Sequence, residues 1–341
     1  MRFQNKSIRL SWCRVVLRKI RVIPLAAESL GVRSMCTYVE TPDVRILLDP
    51  GASLAPNRFG LPPHPREYRA MEECRRRISE AACKAEVVTI SHYHFDHHTP
   101  SYQDWCYHWS SEERAQEIYG GKCVLAKSYR SMINFNQRRR GWIFSKTGGS
   151  YAERLEFADG KTFRFGGTTL TFSKPVYHGS EGTPLGWVLM VTIEHDGERV
   201  LFAPDVQGPM CDSTLQLMLD AKPHLAIVGG PPLYLSGFRV QESHIQMGMR
   251  NLQKLVRRIP IVILEHHILR DQGWRAISQP VLQEASKAGH TVLTAAEFRR
   301  MENHLLEARR KQLYQLEPPT PEFKRWMKLP PQRRKLIRPP I

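Results

Sequence analysis

The chain has 341 residues, a formal net charge of +17 and seven scattered cysteines. A chain of this length can bury one large core or two small ones. The sequence contains no apolar run long enough to span a membrane, no CxxC pair and no even cysteine framework, which excludes a membrane-spanning or disulfide-stapled protein and predicts a reducing, cytoplasmic compartment.

The positive charge is concentrated at the two ends of the chain. Residues 1–22 hold seven Lys/Arg and no acid, whereas residues 301–341 hold ten Lys/Arg and four acids. We therefore predict a basic extension over 1–20, one catalytic domain over 21–305, and a flexible, basic, Pro-rich tail over 306–341. The first segment lacks the apolar stretch of a secretory signal, and the basic tails could bind nucleic acid.

The first elements are predicted from apolar runs and helical spacing. Strands are expected over 21–25, 35–40 and 44–48, and the last of these ends at Asp49. The Pro-rich stretch 52–65 is predicted to be a loop, either a lid or ordinary surface. A charged helix is expected over 66–83.

The stretch VVTISHYHFDHHTP, residues 87–100, organises the rest of the chain. It indicates a buried strand that breaks into a turn carrying His92, His94, Asp96 and His97. Imidazole nitrogens and carboxylate oxygens are the ligands that zinc, iron and manganese accept, and two histidines one residue apart can converge on one ion. The pattern therefore predicts a metal site, with Asp96 and His97 facing a second ion.

A predicted N-cap at Thr99 and the basic cluster NFNQRRRG follow this turn. The three consecutive arginines could bind phosphate because guanidinium groups match phosphate oxygens bidentately, although most such runs are only solvated. Arg138, Arg139 and Arg140 are therefore the predicted substrate-binding residues.

The second half of the chain alternates in the manner of strands and contains further polar residues at strand ends. An antiparallel meander is predicted from residue 151 onward, alternating over 151–193, with turns at Asp159-Gly160, Gly166-Gly167 and Asp196-Gly197. His178 and Asp205 end two of the apolar segments, and a strand over 261–264 ends in His266 and His267. Taken alone, each of these is more often a hydrogen-bonded polar residue than a metal ligand.

The motif His92-x-His94-x-Asp96-His97 matches the HxHxDH signature of the metallo-β-lactamase superfamily, and the order of later elements fits over 21–298. Through the patterns DPGASLAP, SHYHFDHHTP, GLPPHP and GGPP, the chain resembles an uncharacterised prokaryotic family of predicted metal-dependent hydrolases. The resemblance implies an α/β (α+β) fold, the four-layer αββα sandwich of two mixed sheets flanked by helices.

The resemblance also implies roles for the residues at the strand ends. Asp49 would fix a metal-binding histidine by a hydrogen bond, and Asp49 and Asp96 are predicted to be catalytic. His266 is favoured over His267 as the last ligand. The implied ligands are His92, His94 and His178 for one ion, Asp96, His97 and His266 for the other, and Asp205 as the bridge.

We therefore predict a hydrolase with two divalent ions, zinc being favoured and manganese or iron the alternatives. Two such ions lower the pKa of a shared water, so that hydroxide can attack a small-molecule ester or phosphodiester. The alternatives are a nuclease, a di-iron redox protein and a metal-stabilised binding module. A closed structural zinc site needs only four ligands, fewer than this chain offers.

Overall fold

The computed structural model describes residues 17–341, so most of the predicted extension over 1–20 lies outside the described residues. No helix in the described part combines the length and apolar character needed to cross a bilayer. The strands are β1 (Arg21–Pro24), β2 (Thr37–Glu40), β3 (Arg45–Leu48), β4 (Val87–Ile90), β5 (Cys123–Ala126), β6 (Arg154–Phe157), β7 (Thr162–Phe165), β8 (Thr168–Phe172), β9 (Val176–Tyr177), β10 (Trp187–Val188), β11 (Val191–His195), β12 (Glu198–Ala203), β13 (Leu225–Gly229), β14 (Ile261–Glu265) and β15 (Thr291–Leu293).

The helices are distributed along the whole described chain, and short 3₁₀ turns separate some of them. The predicted helix over 66–83 is confirmed within one residue at each end. The α-helices are α1 (Pro65–Ala82), α2 (Glu112–Tyr119), α3 (Phe135–Lys146), α4 (Asp212–Asp220), α5 (Glu242–Val256), α6 (Trp274–Ile277), α7 (Gln279–Lys287), α8 (Ala295–Phe298), α9 (Arg310–Leu316), α10 (Pro321–Met327) and α11 (Pro331–Leu336).

Two large sheets, both mixed, form the centre of the fold. The first has the order β1-β2-β3-β4-β5-β6, and the second has the order β15-β14-β13-β12-β11-β8-β7. In the first sheet β3 to β6 run parallel, and in the second β12 to β15 run parallel, while the remaining pairs are antiparallel. A small β9–β10 pair lies outside both sheets.

The alternation of side chains along β12 to β14 shows how the layers stack. Phe202, Ile227 and Ile263 point into a core shared with the first sheet and α1. Their neighbours Leu201 and Val228 point the other way, into a second core formed with α4, α5 and α7. Because a strand presents successive side chains to opposite faces, the second sheet is covered on both sides. The predicted αββα sandwich is confirmed.

The predicted meander over 151–193 is divided between the two sheets. The turn at Asp196-Gly197 is a true hairpin, and both residues have the positive φ that a type I′ turn requires. The Asp159-Gly160 turn instead connects β6, in the first sheet, to β7, in the second. Alternation alone does not reveal which sheet a strand joins.

The predicted helix start at Thr99 is wrong. The Thr99 hydroxyl accepts a hydrogen bond from buried Arg75 at 2.7 Å and donates to the backbone oxygen of Pro50 at 2.5 Å, so it caps no helix. The next helix begins only at α2, where the side chain of Ser111 accepts from the backbone nitrogen of Arg114.

The segment over 306–341, which was predicted to be a flexible tail, contains α9 to α11 and lies against α1. Phe323 and Trp326 are buried and stack edge-on with Tyr68 at ring distances of 5.6 Å. Arg310 forms a fully buried ion pair with Glu67, with nitrogen and oxygen 2.7 Å apart. Two aromatic residues and one arginine thus attach a segment whose composition suggested disorder.

Candidate metal centre

The candidate ligands follow the carboxyl ends of strands from both sheets. Parallel strands present these ends at the same edge, so residues distant in sequence meet there. Asp49 follows β3, the HxHxDH turn follows β4, Asp205 follows β12 and His266 follows β14. His178 is the exception, since it follows β9 of the small antiparallel pair outside both sheets. The structure thus brings together all eight residues that the sequence suggested as metal ligands.

Asp205 lies at the centre of this cluster and is almost completely buried. Four imidazole nitrogens surround its Oδ2 atom: Nε2 of His178 at 2.8 Å, Nε2 of His92 at 3.1 Å, Nε2 of His97 at 3.2 Å and Nδ1 of His94 at 3.9 Å. One carboxylate oxygen cannot accept well-aligned hydrogen bonds from so many donors.

The other oxygen of Asp205 faces the last two histidines. Nε2 of His266 lies 2.8 Å from Oδ1 of Asp205 and 3.6 Å from Oδ2 of Asp96. Nε2 of His267 lies 3.4 Å from the same Asp205 oxygen. Both histidines therefore reach the cluster, and His266 alone of the two also approaches Asp96.

Several cluster residues adopt strained backbone conformations. Asp49, Asp205 and His266 have φ angles of 44°, 51° and 69°. A non-glycine residue in this region costs on the order of 1–3 kcal/mol and persists only where its surroundings hold it there. The strain occurs at strand ends where a side chain has been turned toward the cluster, which is typical of functional sites.

Hydrogen bonds outside the cluster hold the ring planes. Asp49 is completely buried, and its Oδ2 accepts from Nδ1 of His97 at 2.7 Å. Ser91 donates to Asp49 through both its backbone and its hydroxyl, and its Oγ lies 3.0 Å from Nδ1 of His92. The side-chain amide of Gln207 lies 3.3 Å from Nδ1 of His178. These contacts leave Nε2 of each ring for the cluster.

Sequence reasoning missed Glu28 and Arg270. Glu28 Oε2 lies 2.9 Å from Nδ1 of His266, and its other oxygen pairs with Arg270 at 2.6 Å. Glu28 and His266 are 238 residues apart, so no local pattern connects them. The one available signal is that Glu28 interrupts the apolar stretch LAAESLGV, since a buried acid needs a partner.

Burial and neighbouring charges set the charge state of the cluster. Burial, with His97 and His94 nearby, lowers the pKa of His92 well below its ordinary value. Burial opposes the charged form of Asp205, but His266 and His178 lower the pKa of its carboxyl well below its usual range. Burial opposes the charged form of His97 and His266, but Asp205 raises the pKa of both, that of His266 to about 9. These two histidines would therefore release a proton on binding a cation, whereas His92 is already neutral.

The cluster fits divalent metal ions. Five buried atoms of the cluster have no hydrogen-bond partner of acceptable geometry: Nε2 of His97, Nε2 of His178, Oδ1 of Asp205 and both ring nitrogens of His267. Within residues 17–341 the possible ligand sets are His92, His94, His178 and Asp205; Asp49, His92 and His97; Asp96, His97 and His266; and Asp205, His266 and His267. Nitrogen and oxygen donors of this kind suit zinc, manganese or iron.

A cleft of about 440 Å³ opens over the cluster. Of the three predicted substrate-binding arginines, Arg140 lines the cleft, whereas Arg138 and Arg139 are exposed on α3 and do not line it. Successive residues of a helix point about 100° apart, so one face of α3 can carry only one of the three toward the cleft. The cleft is also lined by His108, whose Nδ1 lies 3.1 Å from Oδ2 of fully buried Asp104.

Comparison with known proteins places the chain in a family. It is 45% identical to a UPF0282 protein of Methanopyrus kandleri over 294 residues. The matched stretch covers 86% of this chain and 99% of the relative. A UPF0282 protein of Thermococcus gammatolerans is 46% identical over 299 residues, 87% of this chain and 96% of the relative. The chain belongs to the UPF0282 family. No protein-family model matches this UPF0282 protein.

Solved structures with a similar fold are distant in sequence. The diiron β-hydroxylase CmlA of Streptomyces venezuelae is 12% identical, with a TM-score of 0.47 over 82% of this chain and 53% of the hydroxylase. A metal-dependent hydrolase of the β-lactamase superfamily is 13% identical, with a TM-score of 0.43 over 81% of this chain and 96% of that protein. Human tRNase Z, short form, is 12% identical, with a TM-score of 0.42 over 72% of this chain and 91% of the tRNase.

Proposed function

We propose that this UPF0282 protein is a metal-dependent hydrolase with a dinuclear centre. His92, His94 and His178 would hold one divalent ion, and Asp96, His97 and His266 would hold the other, with Asp205 as a ligand shared by the two sets. The observation that carries this proposal is the arrangement around Asp205, whose two oxygens face six imidazole nitrogens within 3.9 Å.

When bound, the ions would acidify water at neutral pH and polarise the bond that is attacked. The protein's own residues supply orientation and proton transfer. Asp49 holds Nδ1–H of His97, which keeps Nε2 free as a lone-pair donor. Asp104 holds Nδ1 of His108, which leaves Nε2 for the cleft. From there His108 can give a proton to the departing oxygen of an ester.

The reaction that fits this site is hydrolysis of a small ester, with a phosphodiester favoured by the guanidinium of Arg140. A purely structural or binding role fits less well, because closed structural sites use four protein ligands and exclude solvent. Here more donors than that surround Asp205, and a cleft leads to them. Zinc is the favoured metal, with manganese and iron as alternatives.

The test is hydrolysis of bis(p-nitrophenyl) phosphate and p-nitrophenyl acetate by the full-length protein, before and after chelation and after addition of zinc, manganese or ferrous iron. We expect turnover of at least one ester, loss on chelation and recovery with metal. His178→Ala should lower the rate at least about 100-fold. His244→Ala, which alters a histidine outside the cluster, is the matched control.

Two results would contradict the proposal. One is the absence of turnover of both esters by protein that holds its metal ions. The other is a rate in His178→Ala that equals the rate of the control.

A further inference from the structure

A second, mainly apolar pocket lies directly beside the metal cleft. It has a volume of about 170 Å³, and its walls include Pro100, Tyr102, Ile143 and Phe144. Phe95 and Arg140 line both this pocket and the metal cleft, so the two spaces share a wall. An apolar cavity of about 150 Å³ is sufficient to hold a benzene ring.

Arg140 stands on that shared wall without an acidic partner. Its guanidinium carbon lies 4.2 Å from the ring centre of Phe95, and its Nη1 donates only a long, 3.4 Å hydrogen bond to the backbone oxygen of Tyr93. Among residues 17–341 no carboxylate oxygen forms an ion pair with it within 4 Å, although the charge of Asp96, which lines the same cleft, acts on it. A half-buried guanidinium with free donors is well suited to bind an anion bidentately.

The position of Arg140 relative to the cluster is fixed by close packing. The backbone nitrogen of Tyr93, inside the HxHxDH turn, donates to the side-chain oxygen of Gln137 on α3 at 3.2 Å. A Cβ atom on Gly141 would lie 2.5 Å from the Tyr93 ring, so only glycine permits this approach. The helix that carries Arg140 is therefore held against the segment that carries the candidate ligands.

We propose that the substrate of this UPF0282 protein is an anion with a ring-sized apolar group. Arg140 binds the anionic part at the edge of the metal cleft, and the neighbouring pocket takes the aryl or branched alkyl group. This inference rests on the proposed function and adds the substrate class to it. It assigns specificity to two different features, the charge of Arg140 and the volume enclosed by Tyr102, Ile143 and Phe144.

Binding of non-hydrolysable probes tests the two features separately. Isothermal titration of the metal-containing protein with phenylphosphonate, methylphosphonate and benzoate compares a ring with a methyl group, and a phosphonate with a carboxylate. We expect phenylphosphonate to bind at least about tenfold more tightly than methylphosphonate. Arg140→Met should weaken both phosphonates by about tenfold or more, because it removes the charge and keeps the apolar stem.

Ile143→Trp changes only the pocket. Ile143 is partly exposed, so a larger side chain there can fill the pocket without disturbing the buried core. This variant should bind phenylphosphonate no better than methylphosphonate, while methylphosphonate binding stays unchanged. Lys146→Met removes one positive charge from the same helix at an exposed position, and it should bind all probes as the natural protein does.

Equal affinity of the natural protein for the phenyl and methyl probes would contradict the proposed role of the apolar pocket in binding the ring. Unchanged phosphonate binding in Arg140→Met would overturn the anion site, as would failure of both phenylphosphonate and benzoate to bind. Because the assay measures no turnover, a protein that hydrolyses esters yet shows either result keeps its proposed function and loses this inference. If the protein hydrolyses neither ester but still requires Arg140 to bind the probes, the proposed function is lost and the anion site is kept.

Discussion

At the level of single residues, the site depends on pairs in which a buried carboxylate fixes one nitrogen of an imidazole. Asp49 does this for His97, Glu28 for His266 and Asp104 for His108. In the first two pairs the free nitrogen faces the metal cluster. In the third pair the histidine lines the cleft without belonging to the cluster, which is why we propose it as the proton donor.

Replacing His108 with Asn should impair the protonation of poor leaving groups. We expect the rate with an alkyl ester to fall by about 100-fold or more, and the rate with a p-nitrophenyl ester to change little, because p-nitrophenolate leaves without a proton. Comparison of kcat for the two substrates, with metal content measured in parallel, separates this role from metal loss.

A second His–Asp pair provides the control. His195 Nδ1 lies 3.1 Å from Asp43 Oδ2, the same separation as in the His108 pair, and neither residue lines the cleft. His195→Asn should leave both rates unchanged. An equal loss with both esters in His108→Asn would assign this histidine a structural role instead.

At the level of elements, the sequence revealed those site residues that follow a recognisable strand. β4, β12 and β14 are short apolar runs, and the polar residues after them were identified because they end such runs. The structure adds what spacing could not show, namely that side chains at the ends of β3 and β4 from one sheet contact those at the ends of β12 and β14 from the other. Glu28 and Asp104 were missed because their partners are set by tertiary contact rather than by sequence period.

Because the ends of β3 and β4 are in close contact, we expect a substitution of Gly51 to affect both metal binding and stability. A Cβ atom at this position would lie 2.4 Å from the backbone nitrogens of both His97 and His98. Gly51→Ala should therefore displace the HxHxDH turn, lower metal content and destabilise the protein by about 2 kcal/mol or more. Thermal unfolding and elemental analysis would measure both effects.

Gly167→Ala is the appropriate comparison, because a Cβ atom there would make only ordinary contacts, the nearest at 3.4 Å from Asp43. If Gly51→Ala kept its metal and its stability, the two strand ends would not be packed as described.

At the level of the whole molecule, buried ion pairs connect distant parts of the chain. Arg33 pairs with Glu307 at 2.6 Å. Burial alone would raise the pKa of Glu307, but the charge and hydrogen bonds of Arg33 lower it to about 2. The stabilisation from this lowered pKa is fully present above the ordinary pKa of a glutamate and is lost as pH falls from about 4.5 toward 2.

Replacement of Glu307 by Gln should remove that contribution. At pH 7 we expect the free energy of unfolding to fall by about 3 kcal/mol, with the difference from the natural protein shrinking as pH falls below about 4.5. Urea unfolding at pH 7, 4 and 3 gives the comparison. A difference that stays constant across this range would show that the charge of Glu307 does not contribute.

The packing of the carboxyl-terminal segment makes a further prediction. Trp326 is buried against Tyr68 and donates from Nε1 to the backbone oxygen of Ile337 at 2.9 Å. Trp326→Ala should destabilise the whole domain by about 3–5 kcal/mol, whereas Leu336→Ala, at a side chain that is 64% exposed, should have little effect. If Trp326→Ala unfolded at the same melting temperature as the natural protein, the segment would not be part of the cooperative fold.

The sequence could not predict this attachment, because Phe323 and Trp326 are too few and their helix too short to produce a periodic pattern. The Pro-rich and basic composition around them is typical of disordered tails. A few large buried side chains therefore determine the structure of this segment, although its average composition is typical of disorder.

We propose that the cluster around Asp205 binds two metal ions. Elemental analysis of the purified full-length protein, of Asp205→Ala and of Asp212→Ala, which alters an exposed carboxylate, tests this claim directly. We predict about two divalent ions per chain in the natural protein and in Asp212→Ala, and less than one in Asp205→Ala. One ion or none in the natural protein, or an unchanged metal content in Asp205→Ala, would contradict the dinuclear centre.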